Sequence, residues 1–404
     1  MTRYAGLRQM KQAVKQHRKE LIAIGRFVHS HPELGFKEYK AADRLSAYLR
    51  EIGYEIEMPY GGLDTAFRAV LKGARRGRSV AVLAEYDALA GVGHACGHNL
   101  IATAAVTAAV AVAGGSRKWP GRFEVIGTPA EEIWAGKSTM VANGAFDHLD
   151  VAFMTHPSSI SRKTAPTNAF RSMHAVFRGK PAHAGGCPDR GVNALDAAVQ
   201  VYVSLSTLRQ QLREDTRIHM IIPQGGEVVS VIPERAVIEI GIRNSDEAYL
   251  DALQARVTTV CRSAAKCTGT RVSVHWKEHG FRALVVNPPL DAVLAEGYEA
   301  AGIRLGPPAP RGNRASLDMG NISRIIPAAH PYFNIFPKGK SAPAHDHAFR
   351  RQADTPLAYD RALKAGLGMG LAAIDLLTRP EKLRAIRSEF RTRNRGEGKE
   401  PTCL

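Results

Sequence analysis

Disulfide frameworks, long apolar runs and an apolar leader are missing from this sequence of 404 residues. Its five cysteines show no regular spacing, which excludes a disulfide scaffold and favours a reducing compartment. The first residues are polar, and the apolar run from Leu100 to Ala113 is too short to cross a bilayer. We therefore expect a cytoplasmic protein with no membrane partner.

Acidic residues are also in deficit, because 38 Asp and Glu stand against 55 Lys and Arg, a formal net charge of +17. Such a charge could serve a nucleic acid, an anionic surface or a small anionic substrate. The basic residues are spread along the whole chain, and no aromatic-plus-basic module is visible. We therefore expect no specific nucleic-acid partner. The densest basic segment, Arg379 to Lys399, is typical of a frayed helix that runs into a disordered end, so we predict residues 379–404 to form a disordered basic tail.

Apolar residues make up 45% of the chain, enough for a large core. Short buried strands alternate with helical patterns over the first 167 residues, and this alternation predicts an α/β fold with a mostly parallel sheet. The three central strands of that sheet are predicted at Val80 to Leu83, Phe123 to Ile126 and Val151 to Met154.

Polar clusters follow the ends of these three strands. The first is a glycine-rich turn, and the second and third are shorter; together they contain Asp87, His94, Cys96, His98, Glu131, Glu132 and His156. Because parallel strands end at one edge of a sheet, these clusters should converge. Thiolate, imidazole and carboxylate suit zinc, manganese or a similar ion, so we predict a metal site there.

Two residues of the first turn are not assigned as ligands. His94 is predicted to support the site, because the Cys96-x-His98 pair already provides ligands. Asp87 either orients a ligand histidine or caps the turn, and the sequence leaves both open.

The pattern changes near Asn168. Strand, helix, two strands, helix and strand follow, which is typical of a ferredoxin-like α+β domain inserted in the first. The strands in this region include one predicted at Val228 to Ile232. We expect residues 168–285 to form the inserted domain, and residues 1–167 with 286–378 to form the metal-binding domain.

Several motifs occur in a fixed order across nearly the whole chain: His31-Pro32-Glu33, Glu85-Tyr86-Asp87-Ala88-Leu89, Gly93-His94-Ala95-Cys96-Gly97-His98-Asn99-Leu100, Pro129-Ala130-Glu131-Glu132, Gly179-Lys180-Pro181-Ala182-His183-Ala184, Asp318-Met319-Gly320-Asn321 and His345-x-x-x-Phe349. By these motifs the chain resembles the metal-dependent amidohydrolases that include aminoacylases, hippurate hydrolases and indole-acetyl-amino-acid hydrolases. The likeness is closest to the aminobenzoyl-glutamate hydrolase and β-alanyl-lysine dipeptidase branch.

The resemblance implies a catalytic domain that binds one or two divalent ions, zinc or manganese, and an inserted lid that forms a homodimer. It implies that Glu131 is the general base and that His183 holds the substrate carbonyl in a partner subunit's site. The metal ligands that it implies are Cys96, His98, Glu132, His156 and His345. His347 lies close enough to His345 to exchange with it. Ser230 stands where the family pattern has Asn, which leaves substrate choice open.

The function predicted is hydrolysis of a C–N amide bond in a small carboxylated N-acyl amino acid or dipeptide, by water that the metal activates. Arg243, at a strand end of the lid, is a candidate partner for the carboxylate; a plain surface arginine is the alternative. One alternative function is an aminohydrolase that releases ammonia from an aminobenzoate-like aromatic acid. Another is a non-catalytic binding protein on the same fold.

Overall fold

The computed structural model describes residues 6–133, 136–278, 280–309 and 315–396. Over the described part of each range, the chain divides into two compact units. The first comprises Met1–Pro166, Leu284–Asn313 and Asp318–Glu397, and the second comprises Thr167–Ala283 and Arg314–Leu317. The second unit is therefore an insertion within the first. It also includes residues 315–317, which lie outside the predicted limits of 168–285.

The helices of the described residues are, in chain order, α1 (Leu7–Gln16), α2 (Arg18–Ser30), α3 (Tyr39–Glu51), α4 (His98–Gly114), α5 (Gly136–Ala142), α6 (Ala194–Leu208), α7 (Glu247–Thr268), α8 (Pro288–Ala300), α9 (Met319–Ser323), α10 (His347–Gln352), α11 (Pro356–Thr378) and α12 (Pro380–Gly396). The strands are β1 (Glu55–Glu57), β2 (Phe67–Lys72), β3 (Arg75–Ala84), β4 (Pro120–Gly127), β5 (Val151–Phe153), β6 (His156–Ser158), β7 (Ala169–Arg178), β8 (Arg217–Gln224), β9 (Arg235–Asn244), β10 (Arg271–Trp276), β11 (Ala328–Ala329) and β12 (Tyr332–Asn334). None of these helices is both long enough and apolar enough to span a bilayer.

A six-stranded sheet forms the centre of the first unit, in the order β1-β2-β4-β3-β5-β11. The pairs from β4 through β3 and β5 to β11 are parallel, and β1 and β2 add antiparallel strands at one edge. The last six residues of β3 are all buried, as expected for a parallel strand covered on both faces. The predicted α/β fold with a mostly parallel sheet is confirmed.

Helix α4 follows β3 and packs against α11 and the sheet. Every residue from His98 to Val112 is buried, which explains why the sequence shows no polar face there. Glycine allows the two helices to pack closely: a Cβ added to Gly366 of α11 would come within 2.5 Å of the Thr107 side chain. The core therefore holds the start of α4, and the residues just before it, in a fixed position.

A four-stranded antiparallel sheet forms the second unit, in the order β10-β7-β9-β8, with α6 and α7 packed on it. The strand predicted at Val228 to Ile232 is wrong. That segment is a loop, and only Val231 makes a β-bridge, to His183. Gly226, with φ of +118°, and Pro233 enclose the segment, and both oppose regular strand pairing.

The segment predicted to be a frayed helix with a disordered end is an ordered helix in its described part, so the predicted disorder is wrong for residues 380–396. Residues 380–396 form α12, because Leu383 and Ile386 are spaced to bury their side chains in the core. The side chain of Asn287 also donates to the Ile386 carbonyl at 2.9 Å. Residues 397–404 lie outside the described residues.

Candidate metal centre and catalytic site

The turn after β3 places Cys96 and His98 at the start of α4. Between them, Gly97 has φ of +81°, a conformation that residues with a Cβ rarely adopt. A Cβ at Gly97 would also lie 2.6 Å from the side chain of Pro157. Glycine is thus required twice at this position, and it lets the thiol and the imidazole of its neighbours lie side by side.

The second cluster follows β4. Ala130 has φ of +61°, a strained conformation for alanine, and its N–H donates to Glu38 Oε1 at 2.8 Å. Two residues later, the Glu132 N–H donates to Asp87 Oδ2 at 2.9 Å. These two buried carboxylates therefore fix the backbone on either side of Glu131.

The third cluster is His156 in β6, and its ring orientation is set by the backbone carbonyl of the next residue, Pro157. Nδ1 lies 2.7 Å from the Pro157 carbonyl oxygen, an acceptor, so Nδ1 carries the proton. The lone pair of Nε2 then faces the Cys96 Sγ, 3.4 Å away. Nδ1 of His98 also carries the proton, because it lies 2.9 Å from two acceptors, the carbonyl oxygen and Oδ1 of Asp87. Asp87 therefore orients a candidate ligand.

His345 joins the cluster from a distant part of the chain. Its φ is +70°, and its N–H donates to the Ala95 carbonyl at 2.9 Å. This turn places Nε2 of His345 at 3.5 Å from Glu132 Oε2. His347 instead begins α10 and lines a separate cavity with His29. The geometry therefore brings His345, and not His347, to the cluster.

All the side chains that the sequence implied as ligands come together, and so does Glu131. Their possible ligand atoms form three groups in which every pair lies within 4.8 Å: Cys96, His98 and His156; Cys96, Glu132 and His345; His98, Glu131 and Glu132. The second group shares Cys96 with the first and Glu132 with the third, so the groups form one continuous centre.

The electrostatic environment of this centre favours added positive charge. Burial raises the pKa of the Cys96 thiol, and the negative charge of Glu132 raises it further. Burial, together with the charges of Glu85 and Asp318, raises the pKa of Glu131 well above that of an ordinary glutamate. Burial opposes protonation of His98, yet Asp87 and Cys96 raise its pKa on balance. In all three groups, negatively charged neighbours contribute to the raised pKa, and positive charge added here would oppose that contribution.

Unpartnered atoms indicate where a cation fits. Glu85 Oε2, His98 Nε2 and Glu132 Oε1 are buried and have no hydrogen-bond partner among the described residues. His98 Nε2 lies 3.4 Å from the Glu85 oxygen and 3.8 Å from the Glu132 oxygen. Buried polar atoms without a partner are costly, and positive charge added to this centre would offset that cost. The thiol, imidazole and carboxylate donors fit zinc or manganese.

Sequence reasoning missed a buried ion-pair cluster beside the centre. The ammonium of Lys137 is fully buried and contacts Glu85 Oε1 at 2.5 Å and Asp318 Oδ1 at 2.6 Å. Burial alone would raise the pKa of Glu85, but Lys137 and His98 lower it to about 2. Glu85 and Asp318 occur in recognised motifs, whereas a single lysine in α5 gives no signal in the sequence.

His330 was also missed. It is buried, and its ring centroid lies 5.5 Å from that of His156. Burial lowers its pKa to about 3, so the ring is neutral at pH 7. His94, predicted to support the site, is likewise buried with a pKa lowered by burial to about 3. Neither histidine belongs to the three groups of possible ligands.

The remaining predicted site residues lie in the second unit. His183 is exposed, and its Nδ1 accepts from the N–H groups of Gly185 and Gly186 at 3.2 and 2.9 Å. Arg243 is half-buried, with its guanidinium carbon 4.6 Å from the centre of the Phe170 ring. Its partial burial distinguishes Arg243 from a fully exposed surface arginine.

Comparison with known proteins identifies the class. A cluster of thiol, imidazole and carboxylate groups at the carboxyl edge of an α/β sheet, with a second unit inserted in the chain, is the arrangement of a metal-dependent hydrolase. The family model of peptidase family M20/M25/M40 matches residues 81–360. The chain therefore belongs to this family, and it is a metal-dependent hydrolase that acts on carbon–nitrogen bonds.

Individual relatives agree with this assignment. The chain is 33% identical over 399 residues to the Xaa-Arg dipeptidase of Mus musculus, covering 95% of this chain and 92% of the relative. It is 31% identical over 292 residues to a subunit of the p-aminobenzoyl-glutamate hydrolase of Escherichia coli, covering 66% of this chain and 59% of the relative. Its fold is similar to that of Bacillus subtilis YXEP, a dinuclear metal-binding peptidase of family M20, with a TM-score of 0.70, 20% identity and coverage of 90% and 99%.

Proposed function

We propose that this enzyme hydrolyses the amide bond of a small dipeptide or N-acyl amino acid that carries a free carboxylate. The observation that carries the proposal is the convergence of five candidate ligands and Glu131 in one continuous centre, in which Cys96 and His98 are buried and His345 is exposed. The names of the two relatives above describe a dipeptidase and a hydrolase of an N-acyl glutamate. Both substrate types join an acyl group to an amino acid through an amide.

The residues that would hold one or two zinc or manganese ions are Cys96, His98, Glu132, His156 and His345. When bound, such ions supply Lewis acidity, which polarises the scissile carbonyl and lowers the pKa of water. The orientation of His98 by Asp87 and of His156 by the Pro157 carbonyl directs two Nε2 lone pairs to the same space. Because Cys96 must remain reduced to act as a thiolate, we place the enzyme in the cytoplasm.

Glu131 is the base in this proposal. It lies next to Glu132 in the chain, and its burial among carboxylates raises its pKa well above the ordinary value. A carboxylate with a raised pKa takes up a proton from the attacking water more readily. The same carboxyl group can then return that proton to the amine as the C–N bond breaks.

His183 is the proposed partner of the substrate carbonyl oxygen. Two backbone N–H groups donate to its Nδ1, so its Nε2 carries the proton and is available as a donor. A donor of this kind stabilises the negative charge that develops on the oxygen. We propose that it acts in the site of a partner subunit, as the family resemblance implies.

The second unit offers an apolar surface for such a dimer. Val199, Tyr202 and Val203 of α6 and Ile221 of β8 are large side chains that remain exposed. Strand β8 is also the last strand in its sheet, and one of its edges has no strand partner within the described part of the chain. These features support an isologous dimer built through the second unit.

Arg243 is the proposed partner of the substrate carboxylate. Its Nε is buried without a hydrogen-bond partner among the described residues, and its Nη1 donates to Ser316 Oγ at a long 3.4 Å. Burial lowers its pKa, although the group stays charged at pH 7. A carboxylate would satisfy a guanidinium held in this way.

Purified enzyme, reconstituted with manganese or zinc, tests the substrate class. It would be assayed against dipeptides with basic and acidic C-terminal residues, N-acetyl and N-aminobenzoyl amino acids, and aminobenzoates, with amino acids and ammonia quantified separately. We expect release of a free amino acid from at least one amide, and loss of that activity when the carboxylate is amidated. Ammonia released from an aromatic amine, without amide cleavage, would support the aminohydrolase alternative.

A further inference from the structure

The ion-pair cluster beside the metal centre is unevenly satisfied. Lys137 donates through Nζ to Asp318 Oδ1 at 2.6 Å and through its backbone N–H to Asp318 Oδ2 at 3.0 Å. Both oxygens of Asp318 therefore have partners. Lys137 Nζ also donates to Glu85 Oε1 at 2.5 Å, but the other oxygen of Glu85 has no partner among the described residues.

The charges of this ion-pair cluster are also not balanced. Glu85 and Asp318 contribute two negative charges, and Lys137 contributes one positive charge, so one negative charge remains. All three side chains are at most 2% exposed, and water therefore does not screen that charge. The one oxygen of this cluster without a partner among the described residues is Glu85 Oε2. It lies 3.4 Å from Nε2 of His98, an atom that is also unpartnered among the described residues.

We propose that Glu85 is a further carboxylate of the metal centre, and that Lys137 is a positioning residue that turns one of its oxygens toward the bound cation. Because Lys137 holds Oε1, the opposite oxygen must face His98. Asp318 precedes α9 and anchors Lys137 from the other side. This inference rests on the proposed metal-dependent function. It adds to the centre a carboxylate from the residue after β3, which lies outside the three groups of possible ligands but faces His98.

A purely structural ion pair is the competing explanation, and metal affinity separates the two. Full-length protein, stripped of metal with a chelator, would be titrated calorimetrically with Mn²⁺ alone and with Zn²⁺ alone. We expect Glu85→Gln to weaken binding by about ten- to a hundredfold, in the range of groups that support metal ligands. Glu85→Asp keeps the charge opposite Lys137, so it should fold even where Gln does not, and it should also weaken binding.

Glu124→Gln is the matched control. Glu124 is a fully buried carboxylate of β4, but its oxygens contact Arg68 and His148 and none is unpartnered. This variant removes a buried charge without removing one that faces the metal centre, so its metal affinity should equal that of the wild type.

Lys137→Met tests the positioning role. If Lys137 acts through Glu85, the double variant Glu85→Gln/Lys137→Met should bind metal no more weakly than Glu85→Gln alone. Additive losses would contradict that role. Wild-type affinity in both Glu85 variants would overturn the inference and leave the proposed ligands intact. Failure of the wild type itself to bind either ion would instead refute the proposed function.

Discussion

Asp87 holds His98 by two of its own oxygens, because His98 Nδ1 lies 2.9 Å from both Oδ1 and the carbonyl oxygen of Asp87. The remaining oxygen, Oδ2, accepts from the Glu132 N–H. One carboxylate thus fixes the tautomer of one proposed ligand and the backbone of another. Asp87 thereby joins the turn after β3 to the segment after β4, next to the proposed ligands His98 and Glu132.

Asp87→Asn should weaken metal binding by about ten- to a hundredfold, the usual effect of removing a carboxylate that orients a metal-bound histidine. The amide can turn its NH₂ toward the imidazole and favour the wrong tautomer. Calorimetric titration with Mn²⁺ would measure the loss. Unchanged affinity in a folded Asp87→Asn protein would show that the ring of His98 is held by the backbone carbonyl alone.

The ligand assignment itself is tested by pairs of variants. Cys96→Ala and His345→Ala should lose bound metal by elemental analysis, because each removes an atom from the cluster. Cys261→Ala and His347→Ala are their controls, since Cys261 is buried in the second unit and His347 lies at the start of α10. Both controls should keep a full complement of metal. Metal loss in His347→Ala but not in His345→Ala would exchange the two assignments.

The convergence of the metal centre could be predicted because it follows from strand direction. Parallel strands end at one edge, so the residues after β3 and β4, and His156 just beyond β5, had to meet in any fold of this class. No such rule decides between His345 and His347. That choice depends on a single left-handed residue, His345, whose N–H bonds to the carbonyl of Ala95, far earlier in the chain.

The ion-pair cluster could not be predicted, for a related reason. Lys137 meets Glu85 across 52 residues and Asp318 across 181, so no local spacing signals the contact. The sequence of α12 does contain an apolar pattern with helical spacing, but the many basic residues around it made a disordered tail the favoured prediction. Leu383 and Ile386 are three residues apart, as on one face of a helix, within a segment otherwise rich in arginine.

Glu131→Gln should retain metal and lose turnover by on the order of a hundredfold or more, the typical contribution of acid–base catalysis. The amide keeps the size of the side chain but cannot take up the proton of the attacking water. Elemental analysis and kcat on the best amide substrate would be measured on the same preparation. Near-normal turnover would assign the base to another residue.

Stability should depend on pH through Glu38. Burial raises the pKa of Glu38 from 4.5 to about 7, with the nearby charge of Asp87 adding to the effect. Because the folded-state pKa lies above the unfolded one, this stabilising contribution is complete below about pH 4.5 and is lost as the pH rises through about 7. The full effect is up to about 3 kcal/mol.

Glu38→Gln mimics the protonated acid. Its carbonyl oxygen can accept from the Ala130 N–H, and its NH₂ can donate to Thr65 Oγ1. Urea unfolding of metal-free protein between about pH 5 and about pH 8 should therefore show a smaller decline in the variant than in the wild type. Parallel declines would show that other groups govern the pH dependence.

Subunit mixing tests whether two chains build each site. Glu131→Gln and His183→Ala proteins should both be inactive, since one lacks the base and the other lacks the proposed carbonyl donor. In a mixed dimer, one site combines the intact Glu131 of one chain with the intact His183 of the other. Random exchange at equal concentrations makes half of all dimers mixed, so about a quarter of wild-type activity should return.

A mixture of Glu131→Gln and Cys96→Ala proteins is the matched control. Both lesions lie in the first unit, so every site of every mixed dimer contains one of them, and no activity should return. The exchange of subunits would be verified by mass spectrometry of differently tagged chains. If exchange is complete and the Glu131→Gln and His183→Ala mixture stays inactive, His183 does not serve a partner's site. The metal centre would then remain as proposed, but turnover would no longer require the dimer.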